Sequence, residues 1–110
     1  MSPEGFKFVT RYEALKTPDY LCELDEYRRP DGAQLMLAHI RVHHWSAAVF
    51  KKIFREWKVF RSICKAPLYA CPEVNDARWV KFVTALGFKP LLDDVPMENG
   101  ERRPVYISTV

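Results

Sequence analysis

Glycine is scarce in this chain, four residues in 110, and no stretch is rich in glycine and serine. That excludes a flexible linker between two domains, and neither an internal repeat nor a low-complexity tract divides the sequence. Cysteine is limited to Cys22, Cys64 and Cys71, an odd number with no CxxC pair. A disulfide framework is excluded, and buried, reduced thiols are expected. No apolar run approaches the roughly 20 residues that span a bilayer. The opening MSPEGFKFVT has no basic start, apolar run or small-residue cleavage site, so no secretory signal is read there and no membrane partner is expected. What is abundant points to a packed core: 48% of residues are hydrophobic and 14% aromatic, enough apolar surface to offset the entropy of ordering the chain. The expectation is one cytoplasmic domain over residues 1–110.

Charge is unevenly spread. Residues 1–45 carry six basic and seven acidic side chains, residues 46–89 nine and three, and residues 90–110 two and four. The basic middle permits an anionic ligand or partner, or simply a solvated helix face.

Phe6 to Tyr12 alternates apolar and polar residues as a half-buried strand does, and Lys16, Thr17, Pro18 and Asp19 break it. Tyr20 to Tyr27 alternates again, ending at a Pro30-Asp31-Gly32 turn. Ala33 to His43 reads as a third strand, with Met36, Ala38, Ile40 and Val42 on one face and Leu35, Leu37, His39 and Arg41 on the other. After Ser46, an N-cap residue, the period changes. Val49, Phe50, Ile53, Phe54, Trp57, Phe60 and Cys64 form one helical stripe, opposite a face of Lys51, Lys52, Arg55, Lys58, Arg61 and Lys65 with Glu56 its one acid. Leu68 to Cys71 suits a strand buried on both faces. Asn75 or Asp76 can cap a second helix with Ala77, Val80, Val83 and Leu86 inward, stopped by Gly87. Leu91-Leu92 begins another extended segment, Asn99-Gly100 marks a hairpin, and Pro104 to Thr109 closes the chain as a strand. The order β-β-β-α-β-α-β-β predicts an α+β fold, with a mixed, mostly antiparallel sheet and two helices. Its third and fourth strands should be parallel across the first helix.

This order, with Asn75 to Phe88 ending in Leu86-Gly87-Phe88 and a final Val105-Tyr106-Ile107, resembles the GCN5-related N-acetyltransferase superfamily over roughly residues 20–110. It also looks like short tailed-phage proteins of that fold assigned to head assembly or the virion interior, which implies the host cytoplasm or a virion. The resemblance implies acetyl-CoA as cofactor. Its pantetheine arm would pair with the backbone edge of Ala38 to Val42, marked by Ile40 and Val42. Its pyrophosphate would sit at the next helix start on Ser46, Ala47 and Ala48, with Lys51 and Lys52 meeting phosphate and the family's asparagine falling near Asn75. Such a site uses unpaired helix N–H groups and the helix dipole.

The sequence departs from that pattern at named positions. The loop His43-His44-Trp45-Ser46-Ala47-Ala48 contains no glycine, and Val83 stands where the family often has a tyrosine acid, a role that Tyr69 or Tyr106 could take only in a different geometry. Family members place a strand and two helices before the meander, and the residues ahead of Tyr20 cannot hold them, so an acceptor pocket would need another subunit. Further candidates are a carboxylate base among Glu23, Asp25 and Glu26, set against Arg28 and Arg29 in a solvated hairpin, and a contact surface at Trp45 and Trp79. His39, His43 and His44 with Cys64 and Cys71 match no zinc-ligand spacing, so no metal is expected, and no partner is evident for a nucleophilic Cys71. Three functions are compatible with these features. The first is a shortened, non-catalytic protein of the acetyltransferase fold, acting through a protein partner or a second copy of itself. The second is an acyl-CoA-dependent N-acetyltransferase, and the third is nucleic-acid binding by the basic helix.

Overall fold

The computed structural model describes residues 2–72 and 77–109. In chain order the elements are β1 (Lys7–Lys16), β2 (Tyr20–Arg28), β3 (Gln34–Val42), α1 (Ala47–Ile63), β4 (Leu68–Ala70), α2 (Ala77–Ala85), β5 (Lys89–Pro96) and β6 (Arg102–Ser108). The six strands form one mixed sheet in the order β1-β2-β3-β4-β6-β5. All neighbours are antiparallel except β3 and β4. The expected α+β class and element order therefore stand, with β1 running four residues past Tyr12.

Turn chemistry sets these boundaries. Gly32 adopts φ +90°, and Asp31 closes the turn by accepting the Ala33 N–H at 2.9 Å. The Ser46 Oγ accepts the Val49 N–H at 3.1 Å and so caps α1. At the far end of α2, the Gly87 N–H bonds the Thr84 carbonyl and the Phe88 N–H bonds the Val83 carbonyl, with Gly87 at φ +97°. Leu86-Gly87-Phe88 is thus a left-handed helix stop whose next residue, Phe88, is buried. The alternative caps Asn75 and Asp76 lie outside the described residues.

Both helices pack on one sheet face. Tyr20, Cys22 and Leu24 of β2, Leu68 and Ala70 of β4 and Tyr106 of β6 meet Val49, Ile53 and Trp57 of α1 and Val83, Leu86 and Phe88. Met36, Ala38, Ile40 and Val42 join them, as the alternation predicted. Burying each of Val49, Ile53 and Trp57 contributes roughly 1.5–3 kcal/mol. The Trp57 Nε1 also donates to the Leu86 carbonyl at 3.0 Å. On the other sheet face, Tyr27, Leu35 and Leu37 form a smaller cluster with Phe6, Tyr69 and Cys71. Phe6 packs on this cluster, and the residues before it are tied to the end of β5: Pro3 bridges Met97, and the Glu4 N–H bonds the Pro96 carbonyl at 2.9 Å.

Three placements differ from expectation. Arg61 is 6% exposed rather than on the solvent face. Its guanidinium donates to the carbonyls of Cys64, Ala66 and Ser108, because the end of α1 leaves carbonyls that need a donor. Ala77 is exposed, leaving Val80, Val83 and Leu86 as the inward residues of the second helix and its stop. Cys22 is buried, whereas Cys64 and Cys71 are half-buried.

Candidate functional site

The sheet opens between its parallel strands. β3 and β4 share a single register position, Leu37 opposite Tyr69, and β4 ends at Ala70. Residues 40–42 of β3 therefore run past the end of β4 with no strand beside them on that edge among the described residues. This gap lies at the carboxyl end of a parallel strand, just before the start of α1, a place where open α/β sheets commonly bind ligands. Of the residues expected there, Ile40 and Val42 direct their side chains into the core under the helices. Ser46, Ala47 and Ala48 are exposed at the start of α1. Asn75 lies outside the described residues.

The start of α1 is furnished by the chain's own groups. The Ser46 cap takes the Val49 N–H, leaving the amides of Ala47 and Ala48 without an intrahelical acceptor. The Asp19 carboxylate, in the β1–β2 turn, accepts from Lys52 Nζ at 3.1 Å and sits 2.7 Å from His44 Nε2. The backbone fixes this turn: the His43 N–H bonds the Asp19 carbonyl at 2.8 Å, and the Thr17 Oγ1 accepts the N–H groups of Asp19 and Tyr20. The Lys52 hydrogen bond, with that of His44, holds the Asp19 carboxyl below the usual carboxylate range. A fixed anion therefore stands beside the helix N-terminus and engages one of the two lysines expected to meet phosphate. Lys51 is exposed. Residue order alone does not single out Asp19. Its one local signal is Thr17-Pro18-Asp19 as a turn, and only the fold brings that turn to α1.

Aromatic rings join the start of α1 to α2. Trp45, 60% exposed, meets the Phe82 ring edge-on with centroids 5.4 Å apart, and Phe50 lies 5.9 Å from Phe82. Trp79 instead packs edge-on against Tyr106 at 5.1 Å, so of the two tryptophans expected at a contact surface, Trp45 is the one presented. Val83 is buried. Tyr106 is buried and Tyr69 half-buried in the second cluster.

A second constellation occupies the sheet face away from the helices. Asp25, 1% exposed, accepts from Arg11 Nε at 2.7 Å and Nη2 at 3.0 Å, and its Oδ2 is 3.3 Å from His39 Nε2. Glu23 lies 3.6 Å from Arg11 and 3.9 Å from Arg41. Glu26 points to the helix side, where Tyr12 and Arg28 donate to it. The expectation of a solvated hairpin with these acids facing Arg28 and Arg29 is thus corrected: all three carboxylates are buried, and only Glu26 meets Arg28. Cross-strand register decides this, since Arg11 stands opposite Asp25 and Glu23 opposite His39. Chemically, an imidazole beside a buried carboxylate is an arrangement that can serve as a general base. Among the described residues no group of three or more His, Cys, Asp or Glu could hold a metal ion. No described helix is long and apolar enough to cross a membrane.

Two shallow depressions lie elsewhere. One of about 550 Å³ is lined by Phe50, Lys51, Phe54, Arg55 and Lys58. The other, about 390 Å³, surrounds Arg61 and Gly87 at the end of α1. Neither includes a residue of β3 or of the Trp45–Ala48 turn. No protein family, curated protein or solved structure matches this chain.

Proposed function

We propose that this chain is a non-catalytic protein of acetyltransferase-like architecture that works by contacting other proteins, with assembly of a tailed-phage particle as the setting its resemblance favours. The single observation that carries this reading is Asp19 held by Lys52 and His44 beside the start of α1. A diphosphate approaching the Ala47 and Ala48 amides meets a carboxylate of its own sign and a lysine already engaged, and like charges disfavour one another at such separations. The Trp45–Phe82 contact adds bulk at the same end of the helix. The strand order, the single parallel pairing and the Leu86-Gly87-Phe88 stop support the architectural half of the proposal. The exposed Trp45 supports a contact surface, since a large aromatic ring is costly to leave in water. Calorimetric titration with acetyl-CoA tests the reading. No heat at millimolar cofactor is expected; micromolar binding that a bulky Ala47→Phe substitution abolishes would end it.

The second reading is an acyl-CoA-dependent N-acetyltransferase in which an amine attacks the thioester directly. Two observations favour it: the edge of β3 over residues 40–42 that no strand flanks among the described residues and His39 beside the buried Asp25 carboxylate as a base. Acetyl transfer to a panel of primary amines, lost in His39→Gln, is its test.

A further inference from the structure

Along the outer surface of α1, Lys51, Arg55 and Lys58 recur one helical turn apart, and all three are exposed. Among the described residues none of them has an ion-pair partner, whereas Lys52 is tied to Asp19, Arg61 to backbone carbonyls and Glu56 to the Tyr20 hydroxyl. On one flank of this row the Phe50 and Phe54 rings, 4.9 Å apart, floor the 550 Å³ depression that the three cations rim. On the other flank Val59 and Ile63, one turn apart, are 59% and 78% exposed. We propose that this face docks an acidic amphipathic segment of a partner protein, its carboxylates meeting Lys51, Arg55 and Lys58 and its apolar side chains covering Val59 and Ile63 beside them. This rests on the protein-contact reading above and names the chemistry of the partner.

Charge complementarity selects an acidic occupant. The aliphatic pair selects peptide over nucleic acid: Val59 and Ile63 give a base no ring to stack on and a phosphate no donor, but they match the apolar side chains of an amphipathic helix laid along α1. Uncovered, the pair leaves branched apolar surface in water beside unneutralised cations.

The test is fluorescence anisotropy with a labelled amphipathic peptide of about 16 glutamate and leucine residues, carrying carboxylates at i, i+4 and i+7. Micromolar binding that weakens with salt is expected. Lys51→Glu with Arg55→Glu and Lys58→Glu should lower affinity about tenfold or more, and Val59→Ser with Ile63→Ser should also lower it about tenfold, with helical circular dichroism unchanged in both variants. Absence of peptide binding at low salt overturns the proposal. So does tighter binding of a single-stranded oligonucleotide of about 20 nucleotides that Val59→Ser with Ile63→Ser leaves unchanged. Acetyl-CoA titration of the same preparation keeps the two failures apart. Cofactor binding beside peptide binding ends the non-catalytic reading alone, and silence toward both probes ends the docking face alone.

Discussion

Asp19 and Lys52 are joined by a hydrogen bond of 3.1 Å that ties the β1–β2 turn to the second turn of α1, with His44 on the other oxygen of the same carboxylate. The N-terminal end of a helix favours negative charge, and here the chain supplies that charge itself. Replacing it should reopen the position: Asp19→Ala is expected to bind inorganic pyrophosphate about tenfold more tightly than the unmodified protein, because Lys52 is released and a like charge is gone. Equal affinities in calorimetry would refute this role for Asp19.

Arg11 and Asp25 make a forked pair on the helix-free face of the sheet. Removing the cation takes the forked donor from a buried carboxylate and leaves it beside His39, whereas replacing both partners by apolar groups leaves no charge to compensate. Arg11→Met should therefore lower the urea midpoint, and Arg11→Met with Asp25→Leu should recover most of the loss. A double variant no more stable than the single one would contradict the pairing argument.

Gly87 stops α2 at φ +97°, and among the described residues nothing beyond its neighbours along the chain lies within 4 Å of where a Cβ would stand. The cost of Gly87→Ala is then a backbone cost alone, about 1–2 kcal/mol, and Gly87→Asn should cost less because asparagine visits this region more readily. Urea unfolding of the two variants checks the order.

Much of this architecture is legible in the order of the amino acids. The face alternation of β3, the Ser46 cap and the Gly87 stop are local chemistry, and the structure has them where the sequence places them. Arg61 is not legible, since nothing in helical periodicity tells a charge on the solvent face from one that turns to the carbonyls at the helix end. Nor is the pairing of Asp25, whose partner lies 14 residues away on β1 and is chosen by strand register. Asp19 is hidden for the same reason: local turn chemistry identifies the bend, and tertiary packing alone brings it to Lys52, 33 residues on. The tie of Pro3 and Glu4 to Met97 and Pro96 at the end of β5 carries no periodicity at all.

Stability should fall at both ends of the pH scale. Asp19, Asp31 and Glu101 have carboxyls held below their ordinary values, chiefly by hydrogen bonds from Lys52, from the Ala33 N–H and from Arg103 respectively. A depressed folded pKa contributes stability above the unfolded carboxylate range that is lost as pH drops through it. Burial pushes the Cys22 thiol up to about 12 and the Cys71 thiol up to about 11. A raised folded pKa contributes fully below the unfolded value of 9.0 and is lost as pH rises above it. Thermal melts should peak between these limits. Cys22→Ala with Cys71→Ala should flatten the alkaline limb, and an unchanged limb in that variant would show that the thiols do not cause it.

The most direct test of the whole account is a coenzyme A titration followed through the backbone amide signals of Ala47 and Ala48 and the indole signal of Trp45. With Asp19, Lys52 and His44 already engaged at that helix start, the three signals are expected to stay in place up to millimolar ligand. Saturable shifts of all three at micromolar coenzyme A would contradict it.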